Sequence, residues 1–150
     1  MGILGKKTSF GTAALLFFFL FVSCSRQPVY PGAPQSGELN AVVIDAKALK
    51  DEEPVFYTFG HKGKKINFFV LRVNERIISF FDACIKCYPR RQGYRAETGY
   101  LVCRACNVRY PIGEIEKGLG SCYPIKLEGY TEGDKYIIPF PMLIKGEEWF

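Results

Sequence analysis

A chain of 150 residues is long enough for one ordinary domain and too short for two. Its charge of +5, from 20 Lys and Arg against 15 Asp and Glu, is too modest to argue for nucleic acid. A single histidine leaves hydrolytic chemistry little to stand on.

The chain opens with Lys6 and Lys7 ahead of an almost wholly apolar run from Thr12 to Val22. A charged start followed by a short apolar stretch is the layout of a signal peptide, expected over residues 1–23. The run is too short to cross a hydrocarbon core, which takes ~20 helical residues. It ends in Phe21-Val22-Ser23-Cys24-Ser25, which resembles the bacterial lipobox. That resemblance implies cleavage before Cys24 and lipidation of Cys24. It implies a protein held at the bacterial cell envelope by an N-terminal lipid anchor, facing the periplasm or the cell exterior. Removing residues 1–23 takes two lysines and no acids, so the remaining charge is +3.

Residues 24–40 carry Pro28, Pro31, Pro34, Gly32 and Gly37, and read as the lipidated cysteine and a flexible linker. Residues 41–150 then form the folded domain. Ala41–Leu49 has room for a helical turn. Val55–Phe59 and Lys65–Val73 are rich in β-branched and aromatic residues and read as strands. Asn74-Glu75 is an expected turn into a strand over Arg76–Phe81, which leads directly to Cys84. Tyr100–Val102 is a further strand leading to Cys103, and Gly113–Lys117 has room for a helical turn. Pro124–Glu128 and Tyr136–Ile138 read as a terminal hairpin around Gly133-Asp134. The expected fold is therefore mostly β, antiparallel, with little helix and two CxxC loops.

Those loops are the strongest signal in the chain. Cys84-x2-Cys87, fifteen residues, then Cys103-x2-Cys106 is the spacing of paired metal-binding knuckles, each curling its thiolates toward one centre. Asn107 follows the second pair and tolerates the left-handed backbone that such a turn needs. Four thiolates suit zinc, a single iron or an iron–sulfur cluster, and spacing alone favours structural zinc. Two disulfides are the competing arrangement in an exported protein. With Cys24 lipidated, however, five cysteines remain, and an odd number cannot all pair internally. Cys122 is the fifth. It is a candidate extra ligand, a site for a second metal, or a buried free thiol. His61 lies in the polar turn Gly60–Lys65 and is expected at the surface. The cations Lys86, Arg90, Arg91, Arg95, Arg104 and Arg109 surround the cysteines in sequence. They read as a solvated rim, as charge compensation, or as a docking surface for an acidic redox partner. The terminal Glu147–Phe150 reads equally as a frayed end or a contact patch.

The stretch Phe81-Asp-Ala-Cys84-x2-Cys87, with Gly93-Tyr94, Val102-Cys103-x2-Cys106, Ile112, Ile115 and Gly118-x-Gly120-x-Cys122-Tyr-Pro124-Ile125, resembles the FtrD-like membrane iron–sulfur protein family. The resemblance covers about residues 55–140 and implies an iron–sulfur carrier. The chain departs from that family in its lipoprotein-like start. A second resemblance, to Rieske domains, rests on Cys103-Arg-Ala-Cys106-Asn-Val-Arg-Tyr110, with Cys106 at the usual histidine position, Asn107 at the glycine and Tyr110 at the aromatic. It implies a Rieske-like β scaffold, a 2Fe-2S cluster, and sharing of one iron by Cys84 and Cys103 and of the other by Cys87 and Cys106. It also implies that the Cys122 loop covers the cluster.

Three functions follow as expectations. The first is membrane-anchored iron–sulfur electron transfer, linked to iron uptake or respiration, with a redox protein as partner. The second is a structural-zinc binding module. The third is metal handling or thiol redox through Cys122. No nucleophile–base pair, phosphate loop or paired-carboxylate motif argues for an enzyme.

Overall fold

The computed structural model describes residues 27–150. The expected signal peptide and the lipidation site Cys24 lie outside the described residues. Among those described, no helix is long and apolar enough to cross a membrane.

Three antiparallel sheets build the domain. The central one contains β3 (Val55–His61), β4 (Lys64–Val73), β5 (Arg76–Cys84) and β9 (Pro124–Leu127), in that order. One flanking sheet has the order β1-β2-β11-β10, from Gln35–Ser36, Ala41–Asp45, Lys135–Pro139 and Tyr130–Glu132. The other joins β6 (Tyr94–Glu97), β7 (Tyr100–Cys103) and β8 (Arg109–Pro111). One short helix, α1 (Phe140–Ile144), precedes a 3-10 segment over Lys145–Trp149. The mostly β, antiparallel reading with little helix agrees with this.

Strand periodicity explains why β4 and β5 are apolar almost throughout. Side chains alternate between the two faces of a strand. Ile66, Phe68 and Val70 of β4, with Phe81 and Ala83 of β5, enter one core with Val42, Ile44, Tyr136 and Ile138 of the first flanking sheet. Phe69, Leu71 and Val73, with Ile78, Phe80 and Cys84, enter a second core with Tyr94, Leu101, Cys103 and Tyr110 of the three-stranded sheet. The central sheet is thus buried on both faces. The same alternation carries Cys84 to the side of the smaller sheet.

Three expectations meet a different structure. Ala41–Asp45 is a strand and only Ala46–Ala48 turns helically. The β-branched run Val42-Val43-Ile44 pairs with β11, from Ile138↔Val42 to Tyr136↔Ile44, and this pairing outweighs the helical turn. The terminal hairpin is β10–β11 around Gly133-Asp134, while β9 pairs with β5 in the central sheet. The stretch expected to be a flexible linker is hydrogen-bonded to the domain over much of its length. Ala33 N donates to Thr58 O, Thr58 N donates to Pro31 O, both at 2.9 Å, and the Asn67 amide donates to Pro28 O. Proline-rich backbone is already extended, so its remaining N–H and C=O groups can bond an adjacent strand. The C-terminal residues, which the sequence leaves open between two readings, are docked. Phe150 is buried, and the Trp149 ring meets Phe81 edge-on at 5.0 Å.

Candidate metal centre

Both knuckles begin where strands end. β5 finishes at Cys84 and β7 at Cys103. In the first, Cys87 N donates to Cys84 O at 3.0 Å, and a 3-10 turn over Tyr88–Arg90 closes with Arg91 in the left-handed region. In the second, Asn107 N donates to Cys103 O at 2.8 Å and Cys103 N to Val108 O at 3.0 Å. Asn107 has φ 58°, the left-handed conformation expected of it. A third loop folds over the same place. Leu119 and Cys122 exchange backbone hydrogen bonds, and Ile85 N donates to Tyr123 O at 3.1 Å.

These turns bring five thiols together from three loops. The Sγ atoms of Cys84, Cys87 and Cys103 lie within 4.8 Å of one another. The Cys106 thiol interacts with those of Cys87 and Cys103, and the Cys122 thiol with those of Cys84 and Cys106. All five described cysteines are free thiols. Cys84 and Cys103 are buried, Cys87 and Cys122 are half-buried, and Cys106 is exposed. His61 stands apart from the cluster, against Glu147 at 3.3 Å and the Phe59 ring.

The thiols perturb one another as crowded acids do. Interaction with the Cys103 thiol pulls Cys84 down, while the same contact and burial push Cys103 up. Burial, then the Cys106 thiol, raises Cys87 to about 11. Burial also raises Cys122, with Cys84 adding to the effect. Packed thiols therefore resist losing all their protons together. A bound cation reverses that preference, because coordination removes a thiol proton outright.

The roof of the site tests whether a metal group fits. Tyr94 and Tyr110 are fully buried; the Tyr94 hydroxyl faces the Cys84 thiol, and neither hydroxyl closes a hydrogen bond to nitrogen or oxygen among the described residues. Burial raises both groups, and Cys84 is the first thiol adding to each shift. Leaving a buried hydroxyl unsatisfied costs about 1–3 kcal/mol. Two O–H donors beside sulfur atoms fit a group that presents negative sulfur, as a thiolate-ligated metal or iron–sulfur cluster does.

A second layer of residues holds this arrangement. Asp82, on the same face of β5 as Cys84, is buried. It accepts from Tyr94 N at 2.6 Å and from the Tyr30 hydroxyl at 3.1 Å. Arg104 Nε donates to Tyr94 O at 2.8 Å. Burial pushes the Asp82 carboxyl up to about 7, against the pull of its hydrogen bonds and of Arg104. Gly93 lies hard against this carboxylate with φ +62°, and a Cβ there would collide with it. The position needs glycine for both reasons. The Gly93-Tyr94 pair was legible only as part of a family pattern. Its partner Tyr30 lay in the segment read as linker.

No curated protein matches the chain. Among solved structures, the ferredoxin of carbazole 1,9a-dioxygenase from Nocardioides aromaticivorans IC177 is similar at 16% identity. That match has a TM-score of 0.42 and covers 67% of this chain and 97% of the ferredoxin, too distant a likeness to argue from. The family model described as membrane iron-sulfur containing protein FtrD-like matches residues 28–150, and the chain belongs to that family.

Proposed function

We propose that this protein is a lipid-anchored one-electron carrier of the bacterial cell envelope, with Cys84, Cys87, Cys103 and Cys106 ligating a 2Fe-2S cluster. One observation carries the reading: knuckle thiols converge beside two buried tyrosine hydroxyls that find no oxygen or nitrogen partner. When bound, such a cluster supplies one-electron redox chemistry. The chain's own residues supply the rest. Cys84 and Cys103 would hold the cluster from buried positions, Cys87 from a half-buried one and Cys106 from an exposed one. With the cluster bound, Tyr94 and Tyr110 would donate toward sulfur, and their buried rings would exclude water. Phe69 and Phe80 pack the floor of the same core. Replacing neutral imidazole ligands by thiolates adds negative charge, which lowers the potential toward that of all-cysteine ferredoxins. The lipid on Cys24 holds the carrier at the membrane, where iron uptake or respiration supplies and consumes electrons.

The test is anaerobic purification of the full chain from membranes, followed by iron, sulfide and zinc analysis and a visible spectrum. Two irons and two sulfides per chain, with absorption that bleaches on reduction, are expected. One zinc and no visible band would replace the carrier by a structural-zinc module. The position of Cys122 favours a second reading, in which its thiol displaces a ligand and passes metal onward. Cys122→Ser would then stop metal transfer and leave the spectrum intact.

A further inference from the structure

Charge around the thiols is unevenly satisfied. Between Ala83 and Leu127 the acids are Glu97, Glu114 and Glu116. Each is already engaged: Glu97 with Arg95 and Arg109, Glu114 with Lys117, Glu116 with Arg76 and Lys126. Lys86 and Arg91 form no ion pair with any described acid. Lys86 is exposed between the two cysteines of the first knuckle, and Arg91 is exposed four residues beyond the second of them. Arg90 Nη1 reaches across to Ala105 O at 3.0 Å, which sets another guanidinium between the two knuckles.

Exposed apolar surface collects at the same place. Tyr88, Leu119 and Tyr123 are 37%, 47% and 45% exposed. Tyr88 follows Cys87, and Leu119 and Tyr123 flank Cys122. The Ile85–Tyr123 backbone hydrogen bond brings the first and third loops side by side. Aromatic residues and arginine are the side chains enriched in protein interfaces, and scattered single apolar residues would need no explanation. Here three of them sit within three residues of a thiol, inside a basic rim, on the side where Cys106 is exposed.

We propose that this face is the docking surface for an acidic redox protein, one that presents carboxylates around an apolar centre at its own redox group. The inference rests on the electron-carrier reading and names the partner chemistry for that same site. Opposite charge steers the encounter and sets its orientation, and the apolar centre excludes water once the two redox groups are close. The partner gains or loses one electron and no proton.

The test replaces the unknown partner by two one-electron oxidants of opposite charge, tris(oxalato)cobaltate(III) and hexaamminecobalt(III). Each takes one electron from the dithionite-reduced full chain and becomes cobalt(II), and stopped-flow absorbance gives the rate. The oxalate anion is expected to react at a rate that falls with added salt. Lys86→Glu with Arg91→Glu should slow it at least tenfold and speed the hexaammine cation, with an unchanged visible spectrum. Lys50→Glu with Lys135→Glu makes the same change in net charge at the far end of the sheets. That variant should alter either rate less than twofold. Equal effects from the two variants, or no effect from the rim variant, would overturn the docking surface alone. A redox-silent protein overturns the carrier reading and this inference with it.

Discussion

The two faces of the central sheet are made from alternate residues of the same strands, yet they solve different problems. The face toward β2 and β11 is apolar, and the buried serine on it is satisfied within the protein. Ser79 Oγ donates to Leu127 O at 2.8 Å and shares a 2.9 Å hydrogen bond with the Tyr136 hydroxyl. The face toward β7 buries thiols, a carboxylate and two tyrosine hydroxyls without oxygen or nitrogen partners. The first core is complete as protein. The second is completed by what the thiols bind. Frustration of local packing rules at a site is what a functional centre looks like in an otherwise consistent fold.

The sharpest way to separate the faces is to take the metal away. Thiolate-held structural metals contribute on the order of 10 kcal/mol to small folds. Chelation, or Cys103→Ser, should therefore strip amide protection from β6, β7 and β8 while β2 and β11 stay protected. Hydrogen exchange read by mass spectrometry checks this, and uniform loss across all three sheets would remove the distinction. Phe68→Ala attacks the other side. Phe68 is fully buried and stacks with Tyr57 at 5.5 Å. The change should cost about 3–5 kcal/mol of global stability in denaturant titration. The visible spectrum of the molecules that remain folded should not shift.

A smaller effect tests the buried carboxyl. Asp82 is raised from 3.8 to about 7, so the native state holds its proton more tightly than the unfolded chain does. That stability is fully present below about pH 4 and is lost as pH rises through 7. A negatively charged cluster would push in the same direction. The melting temperature of the parent should fall relative to Asp82→Asn between pH 5 and pH 8, by an amount equivalent to roughly 3 kcal/mol. Parallel melting curves across that range would show that the carboxyl is ionised throughout. The smallest effect concerns Tyr94→Phe. Losing one donor to sulfur should lower the reduction potential by on the order of tens of millivolts, because hydrogen bonds to sulfur stabilise the reduced state. Voltammetry reads this directly, and Phe56→Leu, beyond Phe69 on the same side, is the control for packing.

The two central strands, which supply both faces, are the most legible part of the sequence. Lys65–Val73 and Arg76–Phe81 announced themselves by composition, and Asn74-Glu75 by turn chemistry. Both turn residues indeed adopt positive φ, at 50° and 65°. The knuckles were legible because ligand spacing is local. What was not legible is set by contacts between distant residues. The partner of β9 is a strand 48 residues earlier, from Ser79↔Leu127, and no local signal distinguishes it from a hairpin neighbour. β6 and β8 are only four and three residues long and take their conformation from β7 between them. The Tyr30–Asp82 contact spans 52 residues, and the prolines around Tyr30 point by composition to a spacer.

The Tyr30 hydroxyl is bonded to the carboxylate two residues from Cys84, and Gln27 is bonded to Lys65 O at 2.9 Å. With a lipid on Cys24, only five residues would separate the anchored cysteine from Tyr30, at most about 20 Å of extended chain. The anchor is then a short leash fastened beside the cargo. Under the proposed anchoring, the redox group would patrol a thin layer above the headgroups, where a membrane-bound partner would be confined with it. In such a layer local concentration substitutes for affinity, and brief, salt-sensitive encounters are enough for turnover.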